Sequence, residues 1–218
     1  DEHVRDQLKA IAPEVLIEHG DPSSLPIAFR RSLLIQFVDL YAERKYDTGI
    51  SFDIMMCRRL ADPDLAPTIN EILKKFATHK DVCALLLKLI WQGQISDSVD
   101  AALDSALKDQ EDPYIKTCAI RAIAAAGTPT QQHHLVNSLL ADVSKLDQRT
   151  LGEICESFFP DHLSVQQLIE ILKTVAQPKA YSSPVQYSLE NIALALAPDK
   201  TAEQLLRQFH QLSKSPPF

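Results

Sequence analysis

The sequence predicts an all-α chain in which antiparallel helix pairs stack into an α-solenoid, and three observations carry that expectation. Apolar residues recur at spacings of three and four almost throughout, which is the period of a helix with one buried face. The composition has 5 Gly and 6% aromatic residues among many Leu, Ile, Ala, Glu and Gln, a mixture that suits helices better than sheets. One apolar pattern also returns at a spacing of about 33, 36 and 34 residues, within the range of short helical repeats.

Taken from the N-terminus, Pro13 interrupts the first helical stretch and marks a kink or a boundary, because its ring removes an N–H and clashes with the preceding turn. A long run from Ser24 to Tyr46 and a short one from Asp53 to Leu60 flank the turn-like Asp47-Thr48-Gly49. No repeat period is visible before about residue 62. Residues 1–61 are therefore expected to form an N-terminal helical cap or a junction, since a terminal repeat must hide a face that its neighbours would otherwise cover.

From residue 62 to 218 the sequence reads as about four helix pairs. The anchors are Val82, Ile115, Leu151 and Val185. Residues able to pack follow at plus four, plus seven and plus eight: Leu86, Leu89, Ile90; Ala119, Ala122, Ile123; Cys155, Phe158, Phe159; and Leu189, Ile192, Ala193. Those offsets make one helix face. Between the anchors lie second amphipathic runs, Ile95 to Leu107, Leu135 to Leu140 and Val165 to Val175, with Leu205 to Leu212 after the last; Ile69, Ile72, Leu73 and Phe76 open the earliest pair. A single pair cannot bury both of its apolar faces, whereas stacked pairs share a continuous core.

The breaks carry punctuation of known mechanism. Ser164 with Gln167, and Thr201 with Gln204, have the spacing of the reciprocal cap that satisfies orphan N–H groups. Asp112-Pro113, Thr128-Pro129 and Ser183-Pro184 place a capping residue before a proline at the first helical position. Gly93 and Gly127 stand where helix C-termini call for a left-handed residue. In all, about eleven or twelve helices are expected.

Composition narrows the function. A formal charge of −7 repels phosphate backbones, which are bound by several Lys or Arg acting together, so nucleic acid is disfavoured as a partner. The basic pairs Arg30-Arg31, Arg58-Arg59 and Lys74-Lys75 read as solvated helix faces. Cys57, Cys83, Cys118 and Cys155 each sit in an apolar run with no C-x-x-C spacing, as expected of buried thiols in a reducing, cytoplasmic setting. No apolar run is long enough to span a bilayer; the longest, Ala84 to Trp91, is broken by Lys88. A start at Asp1 without an initiator Met or a signal-type segment gives the expectation of a fragment of a larger intracellular protein.

Searches for reactive groups yield little. His133 and His134 are adjacent on a helix and diverge by about 100°, a poor arrangement for one metal ion. The sequence contains no H-E-x-x-H, Cys/His ligand spacing, G-x-S-x-G elbow or Gly-rich phosphate loop ending in Gly-Lys-Ser/Thr. The expectation is a chain with no catalytic, cofactor-binding or metal-binding residues. What remains is surface: positions plus six, plus nine and plus two from the anchors point off the core face, and they hold Lys88, Trp91, Arg121, Ser157, Asn191, Glu153 and Tyr187.

The segment Asp112-Pro113-Tyr114-Ile115-Lys116, followed by Ala119, Ala122-Ile123 and Gly127, resembles the second-helix consensus of HEAT and related repeats. The resemblance covers roughly residues 62 to 213 and is strongest in that one repeat. It implies a right-handed superhelix whose second helices line the concave side, which makes Lys88, Trp91, Arg121, Glu153, Tyr187 and Asn191 candidate protein-binding residues. It also implies structural roles for Asp112, Lys116 or Arg121 in tying neighbouring repeats. The expected function is a non-catalytic scaffold or interaction domain whose partner is a protein, a peptide or another domain of its parent chain.

The stretch Leu60 to Gly127, with Leu-Ala-Asp-Pro, Leu-Leu-Lys-Leu-Ile-Trp-Gln-Gly and Asp-Pro-Tyr, also looks like the helical region of bacterial NACHT or STAND-type NTPases. That resemblance implies a sensor or regulatory arm coupled to an ATPase outside these residues. A third possibility on the same architecture is a nucleic-acid-processing enzyme of the HEAT-like glycosylase kind, against which the acidic charge weighs.

Overall fold

A computed structural model of the chain describes residues 2–43 and 53–175, together with Glu203 and Arg207. Every regular element among the described residues is helical: eleven α-helices and four 3₁₀ turns, with no strand. The chain divides into two compact units, Asp1–Gly127 and Thr128–Phe218. The division falls inside the segment that the sequence assigns to the repeats.

In the first unit, α1 (Glu2–Ile11) stops one residue before α2 (Pro13–Glu18), the boundary that Pro13 imposes. No residue of α1 is buried. It leans on α3 (Ile27–Ala42), where the Lys9 ammonium lies 4.6 Å from the Phe29 ring centroid and 3.2 Å from the Ser32 hydroxyl. Helix α3 supplies Leu33, Leu34, Phe37 and Val38 to the core, and α4 (Ile54–Leu60) adds Met56, Cys57 and Leu60 behind the N-cap Asp53, whose carboxylate accepts from the Met55 N–H.

Lys74-Lys75 are exposed, as the sequence implied, and so are Arg31 and Arg58, but Arg30 and Arg59 are not solvated. Arg30 is 6% exposed, and its guanidinium donates to the Leu60 carbonyl at 2.8 Å, the Ala61 carbonyl at 2.6 Å and Asp62 Oδ2 at 2.8 Å. It thereby closes the C-terminus of α4 and fastens α3 to it. Arg59 does the same for α2, donating to the Glu18 and Gly20 carbonyls at 3.1 Å each. The last four carbonyls of a helix have no partner within it, and a planar fork of five donors serves several of them at once.

Two further helix pairs build the rest of the unit. Helix α5 (Ala66–Lys75) packs on α6 (Lys80–Gly93), and α7 (Val99–Leu107) packs on α8 (Pro113–Ala126). The second helices lie in a row, α6 between α4 and α8, while α3 lies against α5. The first helices are tied as well: Asn70 of α5 donates to the Asp97 carbonyl ahead of α7 at 3.0 Å. The anchor pattern of the sequence is the core, for Val82, Leu86, Leu89 and Ile90 are at most 1% exposed and Ile115, Ala119, Ala122 and Ile123 at most 2%. Helix α6 is buried on more than that face, since Ala84, Leu85 and Leu87 are also covered. A helix flanked by neighbours on three sides has almost no solvent stripe left.

The C-terminal caps of α6 and α8 differ from the expectation. Gln94, at φ 49°, takes the left-handed position after α6, and Gly127 is extended at φ −76°. Gly93 remains helical, and its role is close approach: a Cβ there would sit 2.7 Å from Ala61 Cβ and 3.0 Å from Ile95 Cγ1. Overpacking of this kind outweighs the gain in helix propensity, so Gly93→Ala is expected to destabilise the unit by about 1–2 kcal/mol. A urea midpoint equal to or above that of the parent chain would show that α4 and α6 can separate at no cost.

In the second unit, α9 (Pro129–Leu140) opens on a capping box in which Thr128 and Gln131 satisfy each other. Helix α10 (Gln148–Phe158) is capped by Asp147, and α11 (Val165–Val175) by Ser164 with Gln167, whose Oε1 accepts from the Ser164 N–H at 2.9 Å. The core joins Leu135, Val136 and Leu139 to Leu151, Ile154, Cys155 and Phe158, and to Leu168, Ile169 and Ile171. The fourth anchor, Val185, with Leu189, Ile192 and Ala193, the cap pairs Ser183-Pro184 and Thr201/Gln204, and the run Leu205 to Leu212 lie outside the described residues. So does the turn Asp47-Thr48-Gly49.

Candidate functional site

The side-by-side packing of α6 and α8 leaves one strip of each helix uncovered, and four side chains from that strip meet in two pairs. The Lys88 ammonium lies 5.6 Å from the centroid of the Tyr114 ring, and Arg121 Cζ lies 5.2 Å from that of Trp91. Both distances are within the range in which a cation is held by the negative face of an aromatic ring. The helix period explains the placement: Lys88 and Trp91 are three residues apart on α6, and Tyr114 and Arg121 are two turns apart on α8. Tyr114 is 37% exposed, while Lys88, Trp91 and Arg121 are half-buried. Trp91 is thus neither fully packed in the core nor bare.

Three of the candidate surface residues, Lys88, Trp91 and Arg121, therefore come together, and Tyr114 joins them. Tyr114 was legible only as part of a repeat consensus; its position one helix across from Lys88 required the packing. Glu153 is placed differently. It is 7% exposed and accepts a hydrogen bond at 3.0 Å from the hydroxyl of Ser157, one turn further along α10, so the residue is buried rather than presented to solvent. Tyr187 and Asn191 lie outside the described residues.

Asp112 has two tasks. Its Oδ1 accepts from the Tyr114 N–H at 2.9 Å, capping α8, and its Oδ2 receives the Lys80 ammonium at 2.7 Å. The two N-termini of consecutive second helices are thereby joined by a residue pair 32 positions apart. The cation in this tie is Lys80, which the sequence reading did not single out; Lys116 is half-buried on α8. The hydrogen bond from Lys80, then that from the Tyr114 N–H, hold the Asp112 carboxyl below the usual carboxylate range. A depressed folded-state value means that this contribution is complete above the ordinary aspartate range and is lost as the pH falls through the lowered value.

The remaining perturbed groups point away from nucleophilic chemistry. Burial pushes the thiols of Cys57 and Cys155 up to about 12 and raises that of Cys83, and all four cysteines are buried with no disulfide among them. A thiol held protonated is a poor nucleophile. Tyr41 is raised by burial, then by the nearby Asp81 carboxylate that its hydroxyl meets. Among the described residues, no group of three or more His, Cys, Asp or Glu side chains converges on a point where a metal could bind, and His133 and His134 are exposed on α9.

The second unit contains a surface cleft of about 300 Å³ bordered by Asn137, Leu140, Val143, Gln166 and Glu170. Two of its polar side chains engage each other, for Gln166 donates to Glu170, which also receives the Lys173 ammonium. No described helix is long and apolar enough to cross a membrane. No family model matches this chain, and no curated protein or solved structure matches it either.

Proposed function

We propose that the chain is a non-catalytic helical-repeat scaffold or interaction domain of the HEAT-like kind, and that the outer strip of α6 and α8 is its docking face. The observation that carries the reading is the pair of cation–aromatic contacts, Lys88 with Tyr114 and Arg121 with Trp91, linking consecutive second helices. Aromatic and arginine side chains dominate the energetics of protein interfaces. Here they are held in place before any partner arrives, so less side-chain freedom is lost on binding. The repeat reading draws support from the row α4, α6, α8, from the first helices packed behind it, and from anchors that recur about 33 residues apart. The partner is a protein or peptide, or another domain of the same parent chain.

Trp91→Ala and Arg121→Glu test the face. Each is expected to abolish capture of a stoichiometric protein partner from native lysate, with far-UV circular dichroism unchanged. Neither residue is in the buried core, so each should cost no more than about 1 kcal/mol of stability. Capture that survives both substitutions would remove α6 and α8 as the docking face.

A further inference from the structure

We infer that the start of α6 is an acid-sensitive latch: neutral His79 caps the helix, and protonated His79 releases it. Four other α-helices open on a side-chain oxygen, for Asp53, Asp112, Thr128 and Asp147 each accept from N–H groups of the following turn. Helix α6 opens on a ring nitrogen: His79 Nδ1 accepts from the Val82 N–H at 3.4 Å. Carboxylate and hydroxyl oxygens remain acceptors near neutral pH, whereas an imidazole has one acceptor nitrogen and loses it on taking up a proton. Proton uptake then leaves the Val82 N–H without its partner and sets a positive charge at the positive end of the helix. Both effects act against the first turn.

The neighbouring groups suit the charged ring. From α3, the Tyr41 ring stands 5.8 Å from the imidazole at 56° and is itself stacked with Phe37; an aromatic ring at that distance attracts a cation. The Tyr41 hydroxyl meets the Asp81 carboxylate, the one acid in the first turn of α6. The other charged and titratable groups around this junction are Glu43 at the end of α3, Lys75 paired with Asp39, Lys80 paired with Asp112, Lys108 paired with Glu111, and Cys83, whose thiol donates to the Phe76 carbonyl. Proton uptake at His79 thus exchanges a helix cap for attraction to Tyr41 and Asp81. The next residue, Lys80, reaches Asp112 at the head of α8, so a loosened first turn also loosens the tie between consecutive second helices.

The test is solvent-exchange NMR of the Val82 amide in the full 218-residue chain, at about pH 8 and about pH 5, on either side of the ordinary imidazole value of about 6.5. After correction for the intrinsic exchange rate, protection is expected to fall at least about threefold at the lower pH, as loss of an N-cap implies. His79→Asn supplies a capping acceptor that does not titrate and should show no such fall, and His79→Ala, with no acceptor, should show low protection at both pH values. Protection in the parent chain that is unchanged or higher at about pH 5 would overturn the latch. So would an equal fall in His79→Asn, which would place the proton on another group. Protection in His79→Ala equal to that of the parent chain at about pH 8 would show that His79 does not cap α6.

Discussion

Arg30→Met is expected to destabilise the first unit by about 2–4 kcal/mol. Methionine fills much of the same volume, so the loss isolates the guanidinium. Its removal leaves the Leu60 and Ala61 carbonyls at the end of α4 without their donor, in a site where Arg30 is 6% exposed. It also leaves Asp62 without its cation, but the Asp62 side chain is 29% exposed and can rehydrate, so the ion pair accounts for the smaller share. Asp62→Asn should accordingly cost only about 1 kcal/mol. Arg30→Lys should recover part of the loss, because an ammonium has three donors and no planar fork. Trp91, the single tryptophan of the chain, lies in the same unit, so its emission during urea unfolding reports the change. A shift below about 1 kcal/mol for Arg30→Met would mean that water reaches the α4 carbonyls and replaces the side chain.

Phe158→Ala is expected to be the larger loss in the second unit, about 3–5 kcal/mol. The ring is 1% exposed at the end of α10, with His162 meeting it edge-on at a centroid distance of 6.3 Å. Around it, Leu151, Ile154 and Cys155 of α10 and Leu168, Ile169 and Ile171 of α11 are buried as well. Truncation to alanine leaves a void that rigid helices fill only in part. Amide hydrogen exchange distinguishes this result from a local one: protection should fall across α10 and α11 together. A loss confined to the last turn of α10 would show that the ring supports only its own helix end.

Both predictions concern residues that carry very different signals in the sequence. Phe158 sits at plus seven from the anchor Leu151, and its burial follows from the helical period alone. Arg30 stands in a basic pair and reads as solvent-exposed, because its partners are carbonyls 30 and 31 residues further along the chain. The same contrast divides the caps. Asp112-Pro113 and Ser164 with Gln167 act within three residues, so the bonds that the sequence implied are the bonds present. The left-handed position after α6 falls on Gln94 rather than Gly93, because the bare Cα of Gly93 is needed against Ala61, 32 positions earlier.

Of the candidate site, the sequence singled out Lys88, Trp91 and Arg121 as residues turned away from the core, since helical geometry assigns each residue a direction. It could not say that Lys88 meets Tyr114, or that Arg121 meets Trp91, and it placed Glu153 on the surface although the residue is buried beside Ser157. By itself, then, the sequence determined the helical class and, among the described residues, the N-terminal caps and the three apolar anchors Val82, Ile115 and Leu151, all of which depend on neighbours within two turns. The tertiary structure alone decided which helix lies beside which, and with it the burial of Arg30, the tie from Lys80 to Asp112 and the two cation–aromatic pairs. Those contacts join residues about 30 positions apart, and their geometry comes from the packing of whole helices, which no local pattern encodes.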